Sequence, residues 1–251
     1  MVMGAVAFYA MLSAMLLWRS RSGHARKRGR FLFLVCTALS SPGTDAAENE
    51  WGAWLIASKS GTLSTGDQPG PWRYGLQVQG RYFDRLDGVG QFIVRPGIAW
   101  RMNSKVTFWG GYAYYYTDVR NAGTRNEHRL WQQINWNMYY WGSTTLKSRT
   151  RLEQRFINER DGTGVHLRQQ VRLDAPFKSN QDINLILGAE VFYNLRDTSW
   201  AQSGYAQSRA FAGLGFDIGL RTIETGYMYN HNRIRGLPDL VNHLFILNIK
   251  L

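Results

Sequence analysis

From residue 72 to the C-terminus, hydrophobic and polar positions alternate with a period of two in segments of about 11–15 residues. These segments read at 72–83, 89–101, 105–118, 127–141, 145–158, 164–177, 182–195, 206–216, 219–231 and 241–251. One face of them carries Phe92, Val94, Ile98 and Trp100, then Leu130, Ile134 and Trp136, then Val165, Leu167, Val171 and Leu173, and Leu185, Leu187 and Val191. The other face carries Gln91, Ile93 and Arg95, then Arg129, Trp131, Gln133, Asn135 and Asn137, then His166, Arg168, Gln170 and Arg172. The stretch SRTRLEQRF (148–156) is the extreme case, with Arg149, Arg151, Glu153 and Arg155 on one side of a single strand.

The connections alternate as well. MNS, GST, KSNQ and a tight joint near Asp217 are short, while DVRNAGTRN, NERDG, RDTSWAQSG and NRIRGLPDL are longer and polar. Short turns at one rim and longer loops at the other are what an up-and-down membrane barrel needs, and ten strands would put both chain ends on the short-turn side. The segments exceed the roughly 9–11 residues required of a tilted membrane strand. Trp72, Tyr82, Trp100, Tyr139, Tyr140, Trp141, Phe177 and Tyr193 gather near segment ends, as interfacial girdles do. The predicted fold is all-β: an antiparallel up-and-down transmembrane barrel of 10 to 12 strands, apolar outside and polar inside, spanning a single domain over 47–251. WGAWLIAS (51–58) reads as an additional strand, either in the wall with a twelfth hidden in 59–71 or tucked against the lumen; GTLSTGDQPGP reads as a long connection.

Residues 1–46 carry the marks of an export signal region: RKRGR (26–30), the apolar FLFLVCTAL (31–39) and the small-residue site TDA (44–46), with cleavage expected near Ala46 or Ala47. The apolar stretch 1–18 ahead of it reads as an anchor or as an over-extended start. The one cysteine, Cys36, falls inside the signal core, so the exported chain has no disulfide available. The formal charge of +12 is divided unevenly. The first 46 residues hold six basic residues and one acid, leaving +7 on the remainder, and its arginines alternate along strands instead of forming a basic helix or tail. That argues against nucleic acid as a partner.

Folding each connection at its midpoint places Gln133 opposite Glu153 and Asn135 opposite Arg151, with Glu153 facing Arg168. It continues the series through Glu190 and Arg209 to Glu224. The expected lumen network is therefore Arg95, Arg129, Gln133, Arg149, Arg151, Glu153, Arg155, Arg168, Arg172, Glu190, Arg209 and Glu224. In a narrow barrel such groups can be satisfied only by one another or by trapped water, and the planar arginine fork suits the task. The Gly213-Leu-Gly215 run sits within a strand, where small residues let neighbouring side chains cross the lumen.

RPGIAW (95–100), WGGYAYYY (109–116), EHRLWQQ (127–133), SRTRLEQRF (148–156), AEVFYNL (189–195), SRAFAGLGF (208–216) and ETGYMYN (224–230) occur in an order that resembles the bacterial family called domain of unknown function 2490. The resemblance implies residence in the outer membrane of a Gram-negative bacterium, contact with its lipid and insertion by the barrel-assembly machinery. It implies no activity. The final strand, VNHLFILNIKL, resembles the C-terminal assembly signal of such proteins, although it ends in Leu rather than Phe.

Three readings of the belt stand side by side. It fills and rigidifies the lumen, or it forms a constriction passing small anionic solutes, since basic residues outnumber acids on 145–158 and 164–177. The alternative is an outer-rim lipid hydrolase using His128 or His166 with Ser143, Ser148 or Glu127, which would need an oriented His–acid pair beside a nucleophile. No cofactor is expected, and the five histidines lack metal-ligand spacing.

Overall fold

Where one face of a segment is apolar and the other polar with period two, the backbone satisfies its hydrogen bonds by pairing with a neighbouring strand. The computed structural model describes residues 47–65, 68–83, 88–119, 123–234 and 238–251. Among these are eleven strands and no helix: β1 Glu48–Thr65, β2 Gln68–Phe83, β3 Gly88–Arg101, β4 Val106–Val119, β5 Gly123–Trp141, β6 Thr144–Ile157, β7 Gly164–Pro176, β8 Ile183–Asn194, β9 Gly204–Ile218, β10 Arg221–Asn232 and β11 Leu240–Lys250. Each pairs antiparallel with the next, and β1 pairs parallel with β11, so the sheet closes on itself. The export signal expected at 1–46 lies outside the described residues.

Closure resolves the open question at WGAWLIAS. It is a wall strand, and GTLSTGDQPGP is not a long connection: Gly61–Thr65 prolong β1 and Gln68 begins β2. An odd strand number requires one parallel seam. Eleven residue pairs form it, from Glu48 beside Leu240 to Ser58 beside Lys250. The seam overturns the expectation that both ends share a rim. Lys250 ends at the short-turn rim, whereas Glu48 starts at the opposite rim, where its N–H donates to the Asp239 carbonyl at 2.9 Å.

The contrast between short and long connections is smaller than the sequence suggests. DVRNAGTRN is mostly strand, because β4 runs through Val119 and β5 resumes at Gly123. The KSNQ connection, 177–182, is as long as the NERDG one, 158–163. The 195–203 and 233–239 connections are the longest, and both lie at the rim where β1 begins.

The outer wall carries the apolar face: Ile98, Leu130, Ile134, Leu187 and Phe245 are exposed, Phe245 by 62%. The inner face is buried and holds the charges, with Glu153 at 1% and Arg151 at 5%. Two apolar clusters share the lumen with them, Ile93, Ala113, Tyr115 and Trp131 on one side and Trp54, Leu244 and Ile246 on the other. Gly97 and Gly111 make room for the Trp131 indole, since a Cβ on either would lie within 2.7 Å of its ring.

Candidate functional site: a charged belt across the lumen

The inward arginines and glutamates meet because every strand delivers one polar side chain to about the same height. Glu153 is the hub. It accepts from Arg129 at 2.8 Å, from Arg168 at 2.9 Å and from Arg151 at 3.4 Å. Glu127 pairs with Arg129 (2.9 Å) and Arg155 (2.5 Å). Glu190 pairs with Arg168 (2.9 Å), Arg149 (3.0 Å) and Arg209 (3.7 Å). Six arginines thus share three carboxylates.

The belt continues beyond its ion pairs. On one side Arg129 stacks 3.8 Å over the Tyr115 ring, the Tyr115 hydroxyl accepts from Arg95 at 2.6 Å, and Arg95 donates to Gln77 at 2.5 Å. On the other, Arg209 donates to Asn230 (2.9 Å), Asn230 to Asn242 (2.8 Å) and Asn242 to Glu50 (2.6 Å). Arg81 of β2 and Arg209 of β9 lie over the Trp54 ring of β1 at 3.9 and 4.8 Å, which draws the two ends together. Each of the eleven strands contributes a member.

Stacking explains how so many arginines tolerate one another. A guanidinium lying flat on an aromatic face keeps its edge free for hydrogen bonds and gains attraction from the ring. Arg151 lies over Trp131 at 4.8 Å, and Arg168 and Arg209 lie over Phe192 at 4.6 and 4.5 Å.

Ten of the twelve expected lumen residues meet in this belt: Arg95, Arg129, Gln133, Arg149, Arg151, Glu153, Arg155, Arg168, Glu190 and Arg209. The expected link from Arg209 to Glu224 does not form. Glu224 lies opposite Gly215, six residues along β9 from Arg209, and belongs to a second cluster toward the short-turn rim. There it binds Arg172 (2.6 Å) and Lys250, while Arg172 and Lys147 hold Asp174 at 2.7 Å each. Arg172 reaches Glu224 past β8 and β9, whose inward Gly188, Gly213 and Gly215 leave the path open.

Backbone pairing also differs from the midpoint estimate by two residues: Gln133 lies opposite Arg151, Asn135 opposite Arg149 and Trp131 opposite Glu153. The loop Gly142–Ser143 sets Trp141 beside Thr144, and a bulge between Asn137 and Tyr139 slides the pairing one residue more. A slip of two preserves every face. Arg168 lies opposite Arg151, not Glu153, in backbone register, yet its side chain still reaches Glu153.

The members that the sequence did not single out for the lumen are Glu50, Trp54, Gln77, Arg81, Tyr115, Phe192, Asn230 and Asn242, together with Glu127, which reads there only as a neighbour of the candidate histidines. Their inward parity was readable. Their participation follows from the stagger between strands, which no single segment displays.

The hydrolase constellation does not assemble. His128 faces outward, its Nδ1 2.6 Å from the Tyr112 hydroxyl, and Ser148 faces outward beneath Gln169 at 2.9 Å. Glu127 is occupied by two arginines, and Ser143 lies in the turn at the opposite rim from His128. His166 is buried in the lumen against Phe192. His231, which the sequence did not single out, binds Asp239 at 3.1 Å. The Tyr205 hydroxyl bridges it to Ser208, a serine only 6% exposed with the tyrosine interposed.

Two cavities flank the belt. One of about 360 Å³ opens at the rim of the longer connections and is lined by Arg81, Arg125, Arg129, Arg155, His166 and Trp200 among others. One of about 470 Å³ opens at the short-turn rim, lined by Arg73, Arg101, Lys105, Trp109, Asn135 and Asn137 with their neighbours.

Known sequences carry the same pattern. The profile of the family described as protein of unknown function (DUF2490) matches residues 51–239. An uncharacterised protein of Methylorubrum extorquens is 31% identical over 229 residues, covering 90% of this chain and 97% of its own length. No solved structure matches. A closed barrel with its charges inside, matched by that profile from the first wall strand almost to the last, belongs to the family of unknown function DUF2490.

Proposed function

We propose that this protein spans the outer membrane of a Gram-negative bacterium as a barrel whose lumen is sealed at mid-height by the arginine–glutamate–aromatic belt. The observation that carries the reading is the inversion of faces: Leu130, Ile98 and Phe245 lie on the outside while Glu153, Arg151 and Arg168 are buried inside. A chain surrounded by water would forfeit the burial of its apolar wall, whereas a bilayer covers that wall and closure leaves no backbone edge unpaired. The rim carrying the longer connections faces outward, and the short-turn rim faces the periplasm. Contacts are with membrane lipid along the wall. β11, with Phe245, Leu247 and Ile249 on its outer face, is the element recognised during insertion by the assembly machinery.

Eight arginines at the constriction (Arg81, Arg95, Arg129, Arg149, Arg151, Arg155, Arg168 and Arg209) give any passage through it a preference for small anionic solutes. The belt holds that passage closed at rest, since its members bind one another from all eleven strands.

Heat-modifiable migration tests the architecture. A closed barrel should survive SDS without boiling, migrate as a compact band, and unfold to its full apparent mass only on heating. Identical migration with and without heating, together with recovery in the soluble periplasmic fraction, would remove the reading.

A further inference from the structure

We propose that the cavity at the rim of the longer connections is a binding site for a small oxyanion of the phosphate class. Among the described residues, the lining contains arginines and no carboxylate. Four of these arginines, Arg129, Arg155, Arg168 and Arg209, already share Glu127, Glu153 and Glu190 with other arginines. Arg81 and Arg125 make no ion pair among the described residues; Arg81 donates instead to Gln79 and Gln91. Positive charge is thus in excess where side chains are withdrawn from water, and an anion is the group that offsets it.

Unused donors point the same way. Nε of Arg81, Nε of Arg125 and Nε1 of Trp200 are buried and have no hydrogen-bond partner among the described residues, the N–H of the His166 imidazole is likewise unpartnered among them, and all four residues line this one cavity. Buried polar atoms are nearly always partnered, so unpartnered donors in the side chains that wall one chamber leave it short of acceptor oxygens. The planar arginine forks match a tetrahedral oxyanion two atoms at a time. A volume of about 360 Å³ admits such a group with a small organic body attached.

The wall is built around one of these donors. Gly164 begins β7, and a Cβ there would stand 2.3 Å from the Trp200 ring, so the indole can take its place in the cavity wall only because residue 164 has no side chain. Arg155 lies 5.1 Å over the same ring. The connection bearing Trp200 is tied down by Thr198, whose N–H donates to Ala201 at 2.8 Å, and by Asp197, which accepts from the Ser203 N–H at 2.7 Å.

The proposal rests on the membrane reading only for the side it faces. It is tested by titrating inorganic phosphate into the intact protein in neutral detergent, following tryptophan fluorescence and thermal unfolding. A saturable fluorescence change and a raised Tm are expected, competed by sulfate and absent with a neutral sugar. Arg125→Gln and Arg81→Gln should each weaken binding by about tenfold, the loss of one charge-assisted contact. Arg221→Gln at the other rim should leave it unchanged. A second arm adds phosphatidic acid to the micelles, with phosphatidylcholine as control. Saturation by inorganic phosphate identifies a free solute as the source of the oxyanion. Saturation by phosphatidic acid alone, with the same dependence on Arg81 and Arg125, identifies a lipid headgroup. No saturable response to either, or a response indifferent to both substitutions, overturns the site. Because binding is read on protein whose heat-modifiable migration is intact, that failure would leave the sealed barrel standing. A barrel that conducts at rest would sink the sealed reading and leave this one.

Discussion

Glu153 concentrates the energetics of the lumen in one side chain. Three arginines from three strands converge on its two oxygens, and it is among the most deeply buried side chains of the described residues. Removing one member of a buried ion network leaves the others uncompensated, at a cost of about 3–5 kcal/mol. Glu153→Gln keeps the shape and deletes the charge, so unfolding in detergent should be easier by that amount. Gln154, the next residue, faces outward and exchanges hydrogen bonds with Gln132 at 3.0 and 3.2 Å. Gln154→Leu should cost about 1 kcal/mol or less. Equal effects of the two substitutions in denaturant titrations would mean that Glu153 is not the hub. The side on which each residue lies could be read from SRTRLEQRF alone, because a period of two admits one assignment of faces once either face is known. Which partner each arginine takes could not. Arg168 lies opposite Arg151 along the backbone and reaches Glu153 only through its long side chain.

At the scale of elements, alternation located ten strands to within a few residues, because each is amphipathic in isolation. β1 and the start of β2 were harder, since Gly61, Gly70 and Pro71 are residues that more often break strands than build them. Their place in the wall comes from closure, a property of the whole sheet. The seam between β1 and β11 is where an eleven-stranded barrel differs from a ten-stranded one, which would have to join β2 to β11. Leu55 and Leu247 are paired across it. Since the only native cysteine is Cys36, the double substitution Leu55→Cys with Leu247→Cys provides an unambiguous probe. Neighbouring strands bring Cα atoms within disulfide range. Mild oxidation should yield an intramolecular cross-link, visible as altered mobility of the boiled protein that reverts on reduction. Failure to cross-link in intact barrels would place β1 elsewhere.

For the whole molecule, the decisive property is that two cavities open at opposite rims with the belt and its aromatic rings lying between them. Alternation gave every strand an apolar and a polar face, and the expected assignment, apolar outside and polar inside, is the one the barrel has. The lateral arrangement of the plug was not legible, because it depends on stagger, on the glycines that let Arg172 and Trp131 extend, and on rings such as Trp54, Tyr115 and Phe192 that seat the arginines. Conductance in planar bilayers measures the seal directly. The wild-type barrel should insert without a steady unitary current. Trp131→Ala removes the ring between Gly97, Gly111 and Arg151, and should open an anion-selective conductance. A steady wild-type channel as large as that of Trp131→Ala would contradict the account.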